Sequence, residues 1–174
     1  MSEIIQPKEN PLYELLMHLL LEEISTCDYL VETLTEKQEA IVQNDLQKMN
    51  SLTGTEQIII NKTNALVSKR KELLADIYHK EGLIDMPVTM SKLIEQFEDK
   101  EKLEWTKLQK RLENSVLRIK RLNKENVTLL DTAITFVRDM IHILYNPNQE
   151  TVLYKKDGSG MDKLGSRPIM DCNI

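Results

Sequence analysis

The sequence predicts an all-α protein: an elongated antiparallel bundle of three long helices and one short helix, followed by a flexible C-terminal tail. Apolar residues recur at spacings of three and four along three stretches, which is the period of helices that face a core. The last of these stretches, Asp99–Tyr145, contains neither proline nor glycine. The 174 residues include only five glycines and 5% aromatic residues, which argues against an all-β fold.

The composition excludes several classes of function. The formal net charge is −5, so the chain lacks the basic field that nucleic-acid phosphates require. No apolar run reaches the ~18 residues of a membrane span, and the N-terminus lacks the pattern of a signal peptide. Cys27 and Cys172 do not suggest a disulfide framework. We therefore expect a cytoplasmic protein without nucleic-acid partners or stable membrane insertion.

The first helix is expected to begin at Asn10-Pro11, with Asn as the cap and Pro at the first helical position, after a flexible N-terminus of residues 1–9. It runs to about Gln43. Cys27 lies on its inward line, so we interpret it as a small buried apolar side chain rather than a reactive thiol. The full inward line is Tyr13, Leu16, Leu20, Cys27, Leu30 or Val31, Leu34 and Ile41.

The second helix is expected from Asp45, which can cap it, to about Lys80. Asn44-Asp45 is a short connection, and it predicts that the first two helices run antiparallel. Gly82 and Pro87 then stop the second helix. A short helix over Ser91–Phe97 follows, capped by Thr89 or Ser91, with a bend before the long helix.

Two charged residues, Glu56 and Arg70, lie on the apolar stripe of the second helix. They are about 21 Å apart along the axis, so they cannot pair with each other. Each needs a partner from another helix or a route to water, because an unpaired buried charge is costly. The hairpin geometry makes Glu22 or Glu23 the predicted partner of Arg70.

The long helix has a seam of its own, which is too apolar to stand alone in water and which we expect the rest of the chain to cover. Asn126 is a polar residue on this seam, and such a residue typically sets register at some cost in stability. The seam consists of Trp105, Leu108, Leu112, Ser115, Ile119, Leu122, Asn126, Leu129, Ala133, Phe136, Met140 and Leu144.

Motifs of catalysis and cofactor binding do not occur in the sequence. It has no Gly-rich phosphate loop and no serine in a Gly-x-Ser-x-Gly turn. No Glu-x-x-His pair is present for a di-iron bundle site. We therefore predict neither an enzyme nor a cofactor or metal site.

Residues 146–174 form a tail of different character, with three of the five glycines and two of the five prolines. Without a sustained period, it is predicted to be mobile. Two short apolar segments, Thr151–Tyr154 and Pro168–Met170, are typical of regions that fold on a partner. The candidate partner-binding residues are Val152, Leu153, Tyr154, Ile169 and Met170.

The order of these features resembles the FlgN family of flagellar export chaperones. A Leu-rich first helix precedes a second helix that opens at Asn44-Asp45-Leu46 and carries Arg70 near its end. In the long helix, Asn123 and Asn126 followed by Leu129-Leu130 resemble the Asn-x-x-Asn and paired leucines of that family. Thr151–Tyr154 with Asp157-Gly158 resembles its Tyr-x-x-x-Gly segment. The resemblance extends from about Pro11 to the C-terminus.

The resemblance implies a chaperone that binds hook-associated (hook-filament junction) proteins in the cytosol. It would prevent their premature assembly and deliver them to the flagellar type III export gate. The C-terminal region would hold the client, and Tyr154 would contact the cytoplasmic domain of the gate. The chaperone hypothesis further predicts a monomer that binds one client. Two alternatives remain: a coiled-coil adaptor that homodimerises through the long seam, and a helical-bundle enzyme or metal protein.

Overall fold

The computed structural model describes residues 11–83 and 87–145. It contains α1 (Pro11–Val42), α2 (Leu46–Lys80), α3 (Met90–Glu95) and α4 (Asp99–Tyr145). The predicted class, all-α with three long helices and one short helix, is confirmed. Contacts group the residues up to Leu130 in one compact unit and those from Asp131 onward in a second.

In the α1–α2 turn, Asn44 and Asp45 together reverse the chain, close the end of α1 and cap the start of α2. Asn44 adopts a left-handed conformation with φ of 54°, which asparagine tolerates better than most residues. The backbone N–H groups of Asn44 and Asp45 donate to the carbonyls of Ile41 and Ala40, at 3.1 and 2.9 Å, and close the end of α1. Asp45 Oδ1 also accepts from the Lys48 N–H at 2.9 Å, so the predicted cap of α2 is confirmed.

The end of α2 has the same geometry with glycine in the left-handed position. Gly82 has φ of 70°, and its N–H donates to the His79 carbonyl at 3.3 Å. The Leu83 N–H donates to the Tyr78 carbonyl at 2.9 Å, which completes a Schellman motif. The short helix starts one residue earlier than predicted, because the side chain of Thr89, one of the two predicted caps, accepts from the Lys92 N–H. It ends at Glu95, two residues before the predicted end at Phe97.

An aromatic cluster joins the starts of α1 and α4 to Phe97, which lies two residues after the end of α3. Tyr13 meets Phe97 and Trp105 edge-on, with ring centroids 5.6 and 6.4 Å apart. Phe97 and Trp105 are themselves 5.5 Å apart. All three rings are almost fully buried. The cluster explains why α3 and α4 are separated by a bend, since Phe97 turns inward between them.

A second buried cluster lies farther along α1, and it shows how α4 packs. Leu30, Val31 and Leu34 of α1 pack with Ile59 of α2 and Leu122 of α4. Ser115 contacts Asp28, and Asn126 contacts Leu34, so in this compact unit α4 runs parallel to α1 and antiparallel to α2.

The predicted inward line of α1 is buried throughout. The predicted seam of α4 is buried or half-buried only from Trp105 to Leu129. Its last four members, Ala133, Phe136, Met140 and Leu144, are exposed, so the expectation of a covered seam was wrong there. The reason is length: α4 has 47 residues, whereas α1 has 32 and α2 has 35.

Candidate functional site

The end of α4 carries the most extensive exposed apolar surface of this helix. All residues from Asp131 to Tyr145 are exposed, and Leu144 and Tyr145 reach 72% and 81%. At 100° per residue their apolar side chains share an arc of roughly 200°, and the polar ones occupy the rest. We call this arc the α4 end face; it consists of Ala133, Ile134, Phe136, Val137, Met140, Ile141, Ile143, Leu144 and Tyr145.

The shape of the α4 end face suits a helical partner. Fifteen residues of helix extend about 22 Å. Monomeric proteins rarely expose a continuous apolar patch of this kind without using it for interaction. The sequence contained a signal for the face, which the seam interpretation missed: the apolar arc is broad over residues 133–145, whereas a covered coiled-coil seam is a narrow stripe.

A second apolar surface lies within the unit that ends at Leu130. This α2–α4 groove has a volume of about 580 Å³ and a floor formed by α1. Val67 of α2 lies on one wall, and Val116 and Leu117 of α4 lie on the other. Leu117 is 62% exposed, so the α4 wall is open to a partner. Glu113 and Lys120 of α4 also line the groove.

The floor of the groove contains a nearly buried ion pair and a thiol. Arg70 donates to both carboxylate oxygens of Glu23, from Nε at 2.8 Å and from Nη2 at 3.3 Å. The predicted pairing of Arg70 with Glu22 or Glu23 is therefore confirmed for Glu23, while Glu22 pairs with Lys62. Burial, with the nearby carboxylates of Glu23 and Asp28, raises the pKa of Cys27 to about 11, so this thiol remains protonated at neutral pH.

The other charged residue of the α2 stripe also finds its partner on α1. Glu56 accepts from Lys37 Nζ at 2.6 Å, and both side chains are 16% exposed. Asn126 is buried and donates from Nδ2 to the Leu34 carbonyl at 2.9 Å. Its Oδ1 is buried without a hydrogen-bond partner in the described part of the chain. Asn123 is exposed on α4.

A polar contact between α1 and α4 adds to the apolar packing. Asp28 accepts from Ser115 Oγ at 2.8 Å and from Arg111 Nη2 at 2.9 Å. Partial burial alone would raise the pKa of Asp28, but these two hydrogen bonds, together with the positive charges of Arg111 and Arg118, outweigh it and hold the pKa below its usual value. The contact therefore favours the ionised carboxylate.

The tail candidates Val152, Leu153, Tyr154, Ile169 and Met170 lie outside the described residues. Within residues 11–83 and 87–145, no group of three or more His, Cys, Asp or Glu side chains is arranged to hold a metal ion. Over the same ranges, no helix has the length and apolarity needed to span a bilayer.

Comparison with known proteins gives one match. A family model described as FlgN protein matches residues 12–160, which include α2 to α4, all of α1 except Pro11, and part of the tail. Searches of curated proteins and of solved structures return no significant match.

Proposed function

The chain belongs to the FlgN family of flagellar export chaperones for hook-associated proteins, and from that premise we propose that the α4 end face holds the client. The family is not enzymatic. The exposed side chains of the α4 end face are aliphatic, aromatic or Met side chains, which offer no catalytic group. The face can therefore bind an apolar surface of another protein. A terminal helix of the client with an apolar stripe of its own would bury both surfaces, in the helix-in-groove manner.

This mode of binding accounts for protection of the client. The surface through which a client helix packs in its assembled state is apolar, and a chaperone prevents assembly by covering that surface first. Burial of apolar area supplies the free energy, at about 25 cal/mol per Å² before the ordering costs of association are subtracted. A complex held by one or two helical faces can also release its client for export.

The tail and the export gate belong to the same proposal. We place Val152, Leu153, Ile169 and Met170 beside the client and Tyr154 at the cytoplasmic domain of the gate. The composition of residues 146–174 and the family resemblance support these roles. We also place the complex in the cytoplasm, with one chaperone chain for each client.

The observation that carries the proposal is the exposure of the α4 end face, and substitution tests it directly. Phe136→Asp and Leu144→Asp each put a charge where the client helix would be apolar. We expect at least tenfold weaker binding of a hook-associated protein, or about 1.4 kcal/mol, by calorimetry. Both side chains are exposed, at 64% and 72%, so the fold should tolerate these changes.

The matched control is Ile58→Asp on α2, where the side chain is 71% exposed but lies on neither the α4 end face nor the α2–α4 groove. It should bind the client as the unchanged protein does. Equal affinity for all three variants would show that the α4 end face is not the client site.

The adaptor alternative required the long seam for a second chain. From Trp105 to Asn126, however, the buried members of that seam pack within the chain itself. That part of the seam cannot serve a partner without unfolding the bundle.

A further inference from the structure

We infer that the α2–α4 groove of one chain receives the end of α4 from a second copy, so that the client-free protein forms a reversible two-fold dimer. The dimer uses two surfaces that are exposed in the single chain: the groove, and the segment Asp131–Tyr145. The inserted helix would lie between α2 and α4 of its partner copy, as an added helix of the bundle.

Length and apolarity agree between the two surfaces. The α4 wall of the groove runs from Gln109 to Lys120, which is about three helical turns or 16 Å. The segment Asp131–Tyr145 is slightly longer, at about 22 Å. The floor polar groups Glu23 and Arg70 are already paired with each other, so the groove offers mainly aliphatic contacts. An apolar helix face therefore fills it better than a polar ligand does.

Charge order selects one alignment. In the groove, the acidic Glu113 precedes the basic Lys120 by seven residues; in the end segment, the acidic Asp131 precedes the basic Arg138 by seven. An antiparallel approach places Glu113 opposite Arg138 and Lys120 opposite Asp131, and one register satisfies both pairs. A parallel approach would instead oppose Glu113 to Asp131, and like charges across an interface are unfavourable.

Exchanging the two copies gives the same residue pairs, Glu113 with Arg138 and Lys120 with Asp131, so the register is symmetric. Each chain therefore offers its groove and accepts the partner in one isologous, closed contact. A single three-turn contact is smaller than the ~1,200 Å² of a stable interface, and two of them give an association that is weak and reversible. At low concentration the free chain would remain the monomer that the chaperone hypothesis predicts.

The link to regulation rests on the proposed function. Because the α4 end face is also the proposed client surface, a client and a second copy would compete for it. Self-association would then cover the apolar face while no client is present.

Sedimentation equilibrium of the full chain, from low micromolar to several hundred micromolar, tests the dimer. We expect a concentration-dependent monomer–dimer equilibrium. Glu113→Lys and Arg138→Glu should each raise the dissociation constant roughly tenfold, because attraction becomes repulsion in both halves of the contact. The double variant should restore association. Glu104→Lys, an equal charge change at another exposed position of α4, is the control and should have little effect.

Several results would overturn the inference: a chain that stays monomeric over the whole range, single reversals that change nothing, or a double variant no better than either single one. A chain that dimerises only after removal of residues 146–174 would show that its own tail occupies the face instead.

Groove variants that weaken client binding in a strictly monomeric chain would assign the groove to the client. If the dimer behaves as expected but a hook-associated protein does not dissociate it, the dimer stands and the proposed client site fails.

Discussion

The Arg70 guanidinium and the Glu23 carboxylate form a two-point ion pair between α2 and α1 in the floor of the α2–α4 groove. Glu23 is only 4% exposed at its side chain, and Arg70 is 20% exposed. Both carboxylate oxygens are engaged, which is the geometry that makes burial of a charge tolerable. The pair lies far from the Asn44-Asp45 turn, and there it fixes the register in which α1 and α2 pack.

Removal of one partner should therefore be costly. Arg70→Met is expected to lower the free energy of unfolding by about 3 kcal/mol, because Glu23 is left buried without its counter-charge. Urea denaturation measures the change. The double variant Arg70→Met with Glu23→Met should recover most of the loss. Lys62→Met, which breaks the exposed pair with Glu22, is the control and should change stability little. A larger loss in the double variant than in Arg70→Met would contradict this account.

Asn126 should behave differently, because its hydrogen bond is incomplete. Asn126→Leu removes the buried Oδ1 that lacks a partner and adds apolar volume, so we expect stability to stay the same or rise. Asn126→Asp loses the donor to the Leu34 carbonyl and introduces a buried charge, and it should cost about 2 kcal/mol or more at neutral pH. Thermal denaturation distinguishes the two. A larger loss of stability in Asn126→Leu than in Asn126→Asp would show that the Asn126 amide makes a stabilising contact.

The contact of Asp28 with Ser115 and Arg111 predicts a pH dependence. Because the folded state holds the pKa of Asp28 below its unfolded value near 3.9, the ionised carboxylate stabilises the fold above that pH. This contribution is lost as the pH falls through the folded-state pKa. The stability difference between the unchanged protein and Asp28→Asn should be constant near neutrality and shrink below about pH 4. Denaturation at a series of pH values measures it; a difference that grows toward acid would have the wrong sign.

Truncation after Tyr145 tests the proposed division of labour between helices and tail. Helicity per residue of the bundle and the melting temperature should change little, since residues 146–174 lack the period of a core-forming helix. Binding of a hook-associated protein or of the gate domain should weaken, because the tail carries Val152, Leu153, Ile169 and Met170. Tyr154→Ala in the full chain should weaken gate docking more than client binding. Undiminished binding of both partners by the truncated chain would assign recognition to the helices alone.

Local chemistry made the ends of the helices predictable. Asn44, Asp45 and Gly82 specify their turns through backbone conformation and short-range hydrogen bonds, which depend on neighbours in sequence. The partner of Arg70 was predictable to within two adjacent residues, because a hairpin with a short turn fixes which levels of two helices meet. The choice of Glu23 over Glu22 depended on which one points between α1 and α2, and that orientation is a property of the packed pair.

The sequence by itself determined that the chain forms three long helices and one short helix, where the long helices end to within about one residue, and that charges on the apolar stripe must find partners. Only the tertiary structure decided which part of the α4 seam is covered. Periodicity reports that a helix has an apolar side, but burial requires another helix that reaches it. By the level of Asn126 and Leu34, α1 is close to its end at Val42, and the seam residues from Ala133 onward are exposed. The three-and-four spacing of the seam continues across that boundary although the apolar arc broadens after it, and the lengths of the packed helices determine where a core seam becomes a surface for partners.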